Sequence, residues 1–548
     1  MNKTYRLGGK VIRSMLGIPS GTVAAKASVI ELLANTISGL GFITTKSINL
    51  LGKEGNKAPI FASHGPYSAI NAVGLDNIGA EAFAADLAKI KLPEDFFLMV
   101  SLFGATVEDV VKTARILYSY ADGFEYNASC SHSAGFGRAV GEDLDLLVSI
   151  LVGLVALGKP VYLKLSARMD VAAIVERTKS LGIAGYTITN SFGPEDFKID
   201  GHPVLTNKVG SISGKEITRQ ALECMQLVRQ HTTLEIIGTG GISNGIDVRR
   251  AMYKGVANVC AIGTGLTGMS TAQIAEYIPL VLEEYYSAEY ADKVNRFLAR
   301  ITRPVFERMK YQKFEVTSNT ALADDLFELR FKQPLRDCGP GQFAFVWIPG
   351  LGERPFSVLI ADRLSFLVGV KGTCTKFMQQ LKRGDKAYVR GPCGNVPEVS
   401  GKILLVGGGT GVASLYLFAE AHGWDTVAVL GAKDRVHLYD RPFSFHCKTV
   451  YSYNETELYG VTSRGLVTDY LDNIFVREKP DFCLTCGPLG MVKKVFEIAE
   501  KHLAPEKILG SLEFHTDCGV GICGKDATST GFRPCVDGTF MTRMQLGI

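Results

Sequence analysis

Residues 160–166 read PVYLKLS, residues 185–191 GYTITNS, residues 234–241 LEIIGTGG and residues 258–264 NVCAIGT. Each is a short β-branched or apolar run, and amphipathic segments lie between the runs, which is the pattern of repeated βα units. Working toward the N-terminus, the same pattern recurs at 15–20, 41–48 (GFITTKSI), 96–103 (FFLMVSLF) and 123–129 (GFEYNAS). That makes eight strands, the closing number of a TIM (β/α)8 barrel. The intervening segments carry helix signals. Thr106 with Asp109 resembles a capping box ahead of Val107, Val110, Val111 and Ala114 at helical spacing, and a further helix is predicted from near Asp170 to Gly182.

The remainder of the chain changes character. Beyond about residue 305 it turns β-rich, with alternation over Leu326 to Phe331 and glycines at 339, 341, 369 and 372, the signature of an antiparallel β-barrel. From Lys402 the text runs strand, glycine-rich turn, helix (KILLV, GGGTG, VASLYLFAEA), the entry to a second α/β domain. The last forty or so residues are Gly-rich and hold three cysteines. The predicted division is 1–305 for the barrel, 306–398 for the β-rich domain, 399–508 for the α/β nucleotide-binding domain and 509–548 for a small metal-cluster domain.

Composition narrows the function class. With 548 residues the chain is long enough for several cores, and domain-size scaling predicts roughly three to four units. Net charge is +4 without a basic run, which gives no support to nucleic-acid binding. The longest apolar stretch, Leu146 to Leu157, is too short to span a bilayer and reads as a barrel helix. The N-terminus lacks an apolar signal core, so the expectation is a cytoplasmic protein whose 12 cysteines are thiols or metal ligands.

Polar residues cluster at the C-terminal ends of the predicted strands: Lys46, Asn127 with Cys130, Lys164, and Asn190 with Ser191. That end is the active-site face of a TIM barrel. Gly240-Gly241 follows strand seven and Gly263-Thr264 ends strand eight, where barrels commonly hold a phosphate. A phosphate-bearing cofactor with lysines beneath it points to FMN, because a buried ammonium stabilises the anionic reduced flavin. Cys130 is a candidate general base.

At these residues the barrel resembles the dihydroorotate dehydrogenases. Ser20-Gly21-Thr22, Thr45-Lys46, Asn71 to Leu75, Asn127-Ala-Ser-Cys130, Lys164-Leu-Ser166, Asn190-Ser191 and Gly240-Gly241 fall in the family's order. The resemblance implies that Lys46 and Lys164 contact FMN, and that Cys130 exchanges the proton at C5 of a pyrimidine. It places Asn71, Gly74, Leu75, Asn127, Asn190 and Ser191 on the substrate with Lys46. Ser20, Gly21, Thr45, Asn127, Gly214, Gly240, Gly241, Gly263 and Thr264 fall to the cofactor. One departure is Ser131-His132 where the family has Pro-Asn; a histidine there is similar to the dihydropyrimidine dehydrogenases, which act on uracil and thymine.

Arg354-Pro355-Phe356-Ser357, Lys371-Gly372-Thr373 and Gly391-Pro-Cys-Gly394 resemble the FAD site of the ferredoxin reductase superfamily, with the arginine on the pyrophosphate. Gly407, Gly409, Thr410 and Gly411 form a phosphate-binding turn between strand and helix, and Cys486-Gly487-Pro488 lies where that superfamily places residues beside the nicotinamide of NAD(H). Cys518-x4-Cys523-x2-Asp526-x8-Cys535 matches a plant-type [2Fe-2S] motif at three of four positions, with Asp526 where a thiolate belongs. Together these segments resemble the electron-transfer subunit of the NAD-linked dihydroorotate dehydrogenases, fused here to the barrel.

The resemblance implies a relay from NAD(H) through FAD, [2Fe-2S] and FMN to the C5–C6 bond of dihydroorotate or orotate, in a homo-oligomer built through the barrel. Two other readings stand beside it. One is a reductase of uracil, thymine or another cyclic enone-like ring. The other is a flavin electron carrier without chemistry of its own, against which Cys130 and both lysines argue.

Overall fold

In the computed structural model, which describes residues 4–129, 143–433, 439–454 and 462–548, all eight predicted runs become strands of one closed parallel barrel. In chain order they are Leu16–Ile18, Phe42–Thr44, Phe97–Leu102, Gly123–Asn127, Val161–Leu165, Gly185–Ile188, Glu235–Gly238 and Val259–Ala261. Each strand pairs with the next in sequence and the eighth pairs with the first, Cys260 opposite Leu16. The strands are buried almost throughout, as expected when helices cover a parallel barrel from outside.

Local signals position those helices. Thr106 caps the helix Val107–Leu117 by accepting from the Asp109 amide at 3.2 Å, and Val110, Ala114 and Leu117 face the barrel. Asp143 does the same for Leu144–Val155, the most apolar helix read from the sequence; it buries Leu147, Ile150, Leu151 and Leu154 and leaves Val152 half exposed. Asp170 caps Val171–Thr178. Among the described residues no helix is long and apolar enough to cross a membrane.

Two excursions from the C-terminal ends of the strands combine into a feature that no local pattern predicts. The hairpin Phe61–Gly65 with Ser68–Asn71 leaves after the second barrel strand, and Phe192–Asp196 with Val209–Gly214 leaves after the sixth. They join as a four-stranded antiparallel sheet in which Ser211 lies opposite Asn71.

By its internal contacts the chain forms two compact units. The first is Met1–Glu307 together with Val520–Ala527, so a short stretch near the C-terminus belongs with the barrel. The second is Arg308–Gly519 with Thr528–Ile548. It contains a six-stranded antiparallel sheet ordered 352–357, 343–348, 386–393, 312–323, 326–331 and 365–369. Its long strand Gln312–Ala323 serves two neighbours, pairing with Lys386–Cys393 over its first half and Leu326–Phe331 over its second, with a bulge between Val316 and Ser318. A bulge of that kind bends a strand, and the sheet curls around a core that includes Phe314, Phe331, Val346 and Phe366. The second sheet of this unit is parallel and six-stranded, ordered 462–464, 449–454, 426–432, 403–408, 482–486 and 508–511. Its strand order reverses at Ile403–Gly408, which is flanked by strands that follow it on both sides; such a switch point is where ligands bind in open α/β sheets.

Candidate active site

A cavity of about 730 Å³ opens at the C-terminal end of the barrel strands. The antiparallel excursion sheet contributes Phe61, Asn71, Ser211 and Ser213 to its wall, and Ile522 enters from the C-terminal stretch of the same unit. This is the face on which TIM barrels carry their chemistry.

Two buried lysines, Lys164 and Lys46, line the cavity. Lys164, at the end of the fifth strand, is 4% exposed at its side chain and stands 3.8 Å from Glu125, which is fully buried. Glu125 accepts from Ser101 Oγ at 2.9 Å, Ser101 shares a hydroxyl contact of 2.9 Å with Ser47, and Asn127 donates to Ser47 Oγ at 3.1 Å. A hydrogen-bonded chain thus runs from the carboxylate behind Lys164 to the amide that faces the cavity. Lys46 Nζ lies 3.1 Å from Asp76, which Lys525 approaches at 3.5 Å. Burial pushes the Asp76 carboxyl up, but the two ammonium groups and the Gly55 amide outweigh it and hold the group below its ordinary value.

Three amides point into the same space. Asn190 donates to Ser129 Oγ at 2.7 Å and Ser129 donates to Asn127 Oδ1 at 3.0 Å, so these residues orient one another. Asn71 donates to the Ser211 carbonyl at 3.1 Å, which ties it to the excursion sheet. Gly74, Leu75 and Ser191 also line the cavity; His132, also expected at the substrate, and Cys130 lie outside the described residues.

Of the expected cofactor contacts, Ser20, Gly21, Gly214, Gly240, Gly241, Gly263 and Thr264 line the cavity with Lys46, Asn127 and Lys164. Gly21 has φ +81°, and a Cβ built on it meets no protein atom within 4 Å, so the backbone there is open to close approach. Thr45 is the exception. It is fully buried, its hydroxyl donates to the Lys46 carbonyl at 2.9 Å and accepts from the Ser101 amide at 3.1 Å, and it does not line the cavity.

In the second unit, of the residues ascribed to FAD, Arg354 is exposed and Pro355, Phe356 and Ser357 are half-buried on the strand Gly352–Ser357, and Lys371, Gly372 and Thr373 are exposed at the start of the helix Thr373–Gln379. Arg354 donates to the Glu353 carbonyl at 2.7 Å and is near enough to Cys374 to lower that thiol, although burial raises it overall. Lys371 precedes the turn that opens Thr373–Gln379 and pairs with Glu513 at 2.8 Å. Arg390 and Glu353, both wholly buried, pair at 2.7 Å, and Arg390 also donates to the carbonyls of Asp517 and Cys518.

The nucleotide turn sits at the switch point of the parallel sheet. Gly407 lies opposite Cys486 in the ladder, and a Cβ on Gly411 would come within 2.6 Å of the Cys486 carbonyl, so only glycine fits there. Gly409, at φ +56°, has open space where a Cβ would stand. Burial raises the Cys486 thiol, while hydrogen bonds from Ser414 and Ser511 act in the opposite sense. Cys518, Cys523, Asp526 and Cys535 are each buried; Cys523 and Asp526 belong to the barrel unit and the other two to the second unit. Among the described residues no group of three or more His, Cys, Asp or Glu side chains gathers as a metal site.

A family model described as dihydroorotate dehydrogenase matches residues 6–282. The chain belongs to the dihydroorotate dehydrogenase family. The catalytic subunit of dihydroorotate dehydrogenase B (NAD(+)) from Archaeoglobus fulgidus is 33% identical over 267 residues, 47% of this chain and 86% of that protein. A probable electron transfer subunit of dihydroorotate dehydrogenase B (NAD(+)) from Methanocaldococcus jannaschii is 35% identical over 207 residues, 37% of this chain and 78% of that protein. Among solved structures, the NADH-dependent reduced ferredoxin–NADP oxidoreductase is similar at 28% identity with a TM-score of 0.38, covering 42% of this chain and 88% of that one.

For a member of this family the sequence reading missed several cavity residues: Ser47, Tyr67, Ser129, Ser213, Lys215 and Ile522. Ser129 is the bridge between Asn127 and Asn190, and Lys215 pairs with Asp247 beside the strand-seven turn. Ser47 and Ser129 sit next to residues that were singled out, and strand-end polarity was the available signal for them. Ile522 carries none, because an apolar residue between two cysteines reads as filling for the metal motif.

Proposed function

We propose that this chain is an oxidoreductase that couples NAD(H) to the C5–C6 bond of dihydroorotate and orotate, with flavin as the intermediate carrier. The observation that carries the reading is that a single polypeptide is similar both to a catalytic subunit and to an electron transfer subunit of the same named enzyme. The residues present are compatible with FMN in the barrel: a buried ammonium at Lys164, an open backbone at Gly21, and the turns Gly240-Gly241 and Gly263-Thr264 for the phosphate. When bound, the flavin accepts and returns the electrons that the substrate bond exchanges.

The protein's own part is to bind and orient. Asn71, Asn127 and Asn190 present carboxamides, each with donor and acceptor, suited to the imide edge of a pyrimidine. Lys46 supplies positive charge for a carboxylate-bearing ring, and the excursion sheet adds Phe61, Asn71, Ser211 and Ser213 to the cavity wall. Cys130, outside the described residues, is proposed to hold or take the proton at C5. Arg354 with Lys371, Gly372 and Thr373 would hold FAD, and Gly407 to Gly411 with Cys486, Gly487 and Pro488 would hold the nicotinamide nucleotide. The [2Fe-2S] cluster on Cys518, Cys523, Asp526 and Cys535 rests on cysteine spacing and the electron-transfer relative, since the described side chains do not gather as a metal site. The four-part division at 305, 398 and 508, the cytoplasmic location and a homo-oligomer built through the barrel belong to the same proposal.

A second reading, reduction of uracil or thymine, is favoured by His132. Cofactor content tests the relay: anaerobically purified protein should yield FMN and FAD in equal amounts with a two-iron cluster. FMN without FAD would contradict it.

A further inference from the structure

The stretch Val520–Ala527 is built into the barrel unit. Val23 donates to the Ile522 carbonyl at 2.8 Å, Gly268 to the Val520 carbonyl at 2.9 Å, and Lys26 Nζ to the Ala527 carbonyl at 2.5 Å. These anchors place Ile522 in the cavity wall and Lys525 behind it, 3.5 Å from the Asp76 carboxylate. Asp76 is the counter-ion of Lys46, the ammonium that lines the cavity, at 3.1 Å.

Charge counting gives this arrangement a consequence. Lys46 with Asp76 alone is a neutral pair, and a neutral pair gives an anionic ligand little attraction. With Lys525 on the same carboxylate oxygen, one carboxylate is divided between two ammonium groups, so Asp76 does not fully offset Lys46 in a largely buried setting, where a unit charge is screened far less than in water. We propose that Lys525 is a positioning residue for the barrel site: by sharing Asp76 it leaves Lys46 as an uncancelled cation toward the anionic substrate. The inference rests on the orotate reading of that cavity. It also means that a residue from the far end of the chain sets the affinity of a site formed mostly by the first half.

The test uses the full-length holoprotein and equilibrium titration of orotate, followed by the change in flavin absorbance. Lys525→Gln should weaken orotate binding about tenfold by making the group neutral. Lys525→Arg should stay within about twofold of wild type, and Asp76→Asn with Lys525→Gln should recover most of the loss because it restores the net charge. A merely structural role for Lys525 would not be repaired by removing its partner. An unchanged Kd in Lys525→Gln, or a double variant no tighter than the single one, would overturn the inference. If Lys525→Gln does not load flavin, Asp76→Asn alone decides: binding as tight as wild type or tighter supports the proposal, weaker binding overturns it. If the wild type binds no orotate, the substrate reading fails on its own, and the midpoint potential of the bound flavin decides the present inference. It should fall in Lys525→Gln and return in the double variant; no shift would overturn it.

Discussion

Lys164 Nζ stands 3.8 Å from Glu125 Oε1, and both side chains are shut away from solvent at the floor of the barrel cavity. The separation exceeds a hydrogen bond, so the carboxylate balances the charge without claiming the ammonium's donors, which remain available to what the cavity holds. Lys164→Ala should remove that cation and leave Glu125 buried without compensation, at a cost of about 3–5 kcal/mol in unfolding free energy. Adding Glu125→Gln should recover much of the stability but none of the flavin occupancy. Urea unfolding and flavin content measured on the two variants would check both halves.

The buried pair of Arg390 and Glu353 makes a parallel prediction for the second unit. Arg390→Met should destabilise it by a similar amount, about 3–5 kcal/mol, because Glu353 loses its partner and the Asp517 and Cys518 carbonyls lose their donor. Thermal unfolding should show the loss, and a barrel-only variant such as Lys164→Ala should add to it nearly independently.

Much of the barrel was legible because its strands are short, apolar and buried on both faces, and end in residues that are costly to bury, such as Lys164 and Asn190. The excursion sheet was not, because Asn71 finds its partner at Ser211, a pairing 140 residues away that leaves no local period. Thr45 adjoins Lys46 in sequence, but its hydroxyl is engaged by the Lys46 carbonyl and the Ser101 amide, while Lys46 and Ser47 line the cavity. Ile522 and Lys525 were read only as spacing within a cysteine motif, whereas their contacts are with the barrel unit.

Gly411 offers a selective lesion of the nucleotide site. A Cβ there would press on the Cys486 carbonyl at 2.6 Å, so Gly411→Ala must displace the turn or the neighbouring strand end. NADH-driven dye reduction should fall by at least about tenfold, chiefly through KM, while flavin content stays at the wild-type level. Stopped-flow reduction by NADH compared with chemical reduction would separate the two.

Cys130 is expected to act on the substrate and not on the electron supply. Cys130→Ala should slow orotate turnover by roughly 10²-fold or more, the scale for losing a positioned acid or base, with NADH-driven dye reduction retained. Equal loss of both activities would point to a folding defect.

The most direct test of the whole account is kcat/KM for NADH-driven reduction of orotate, uracil and thymine by the cofactor-replete protein, repeated in His132→Asn. The account predicts that orotate is turned over far faster than either neutral pyrimidine and that His132→Asn preserves or improves orotate turnover. Uracil or thymine turnover well above that of orotate in the wild type would contradict it.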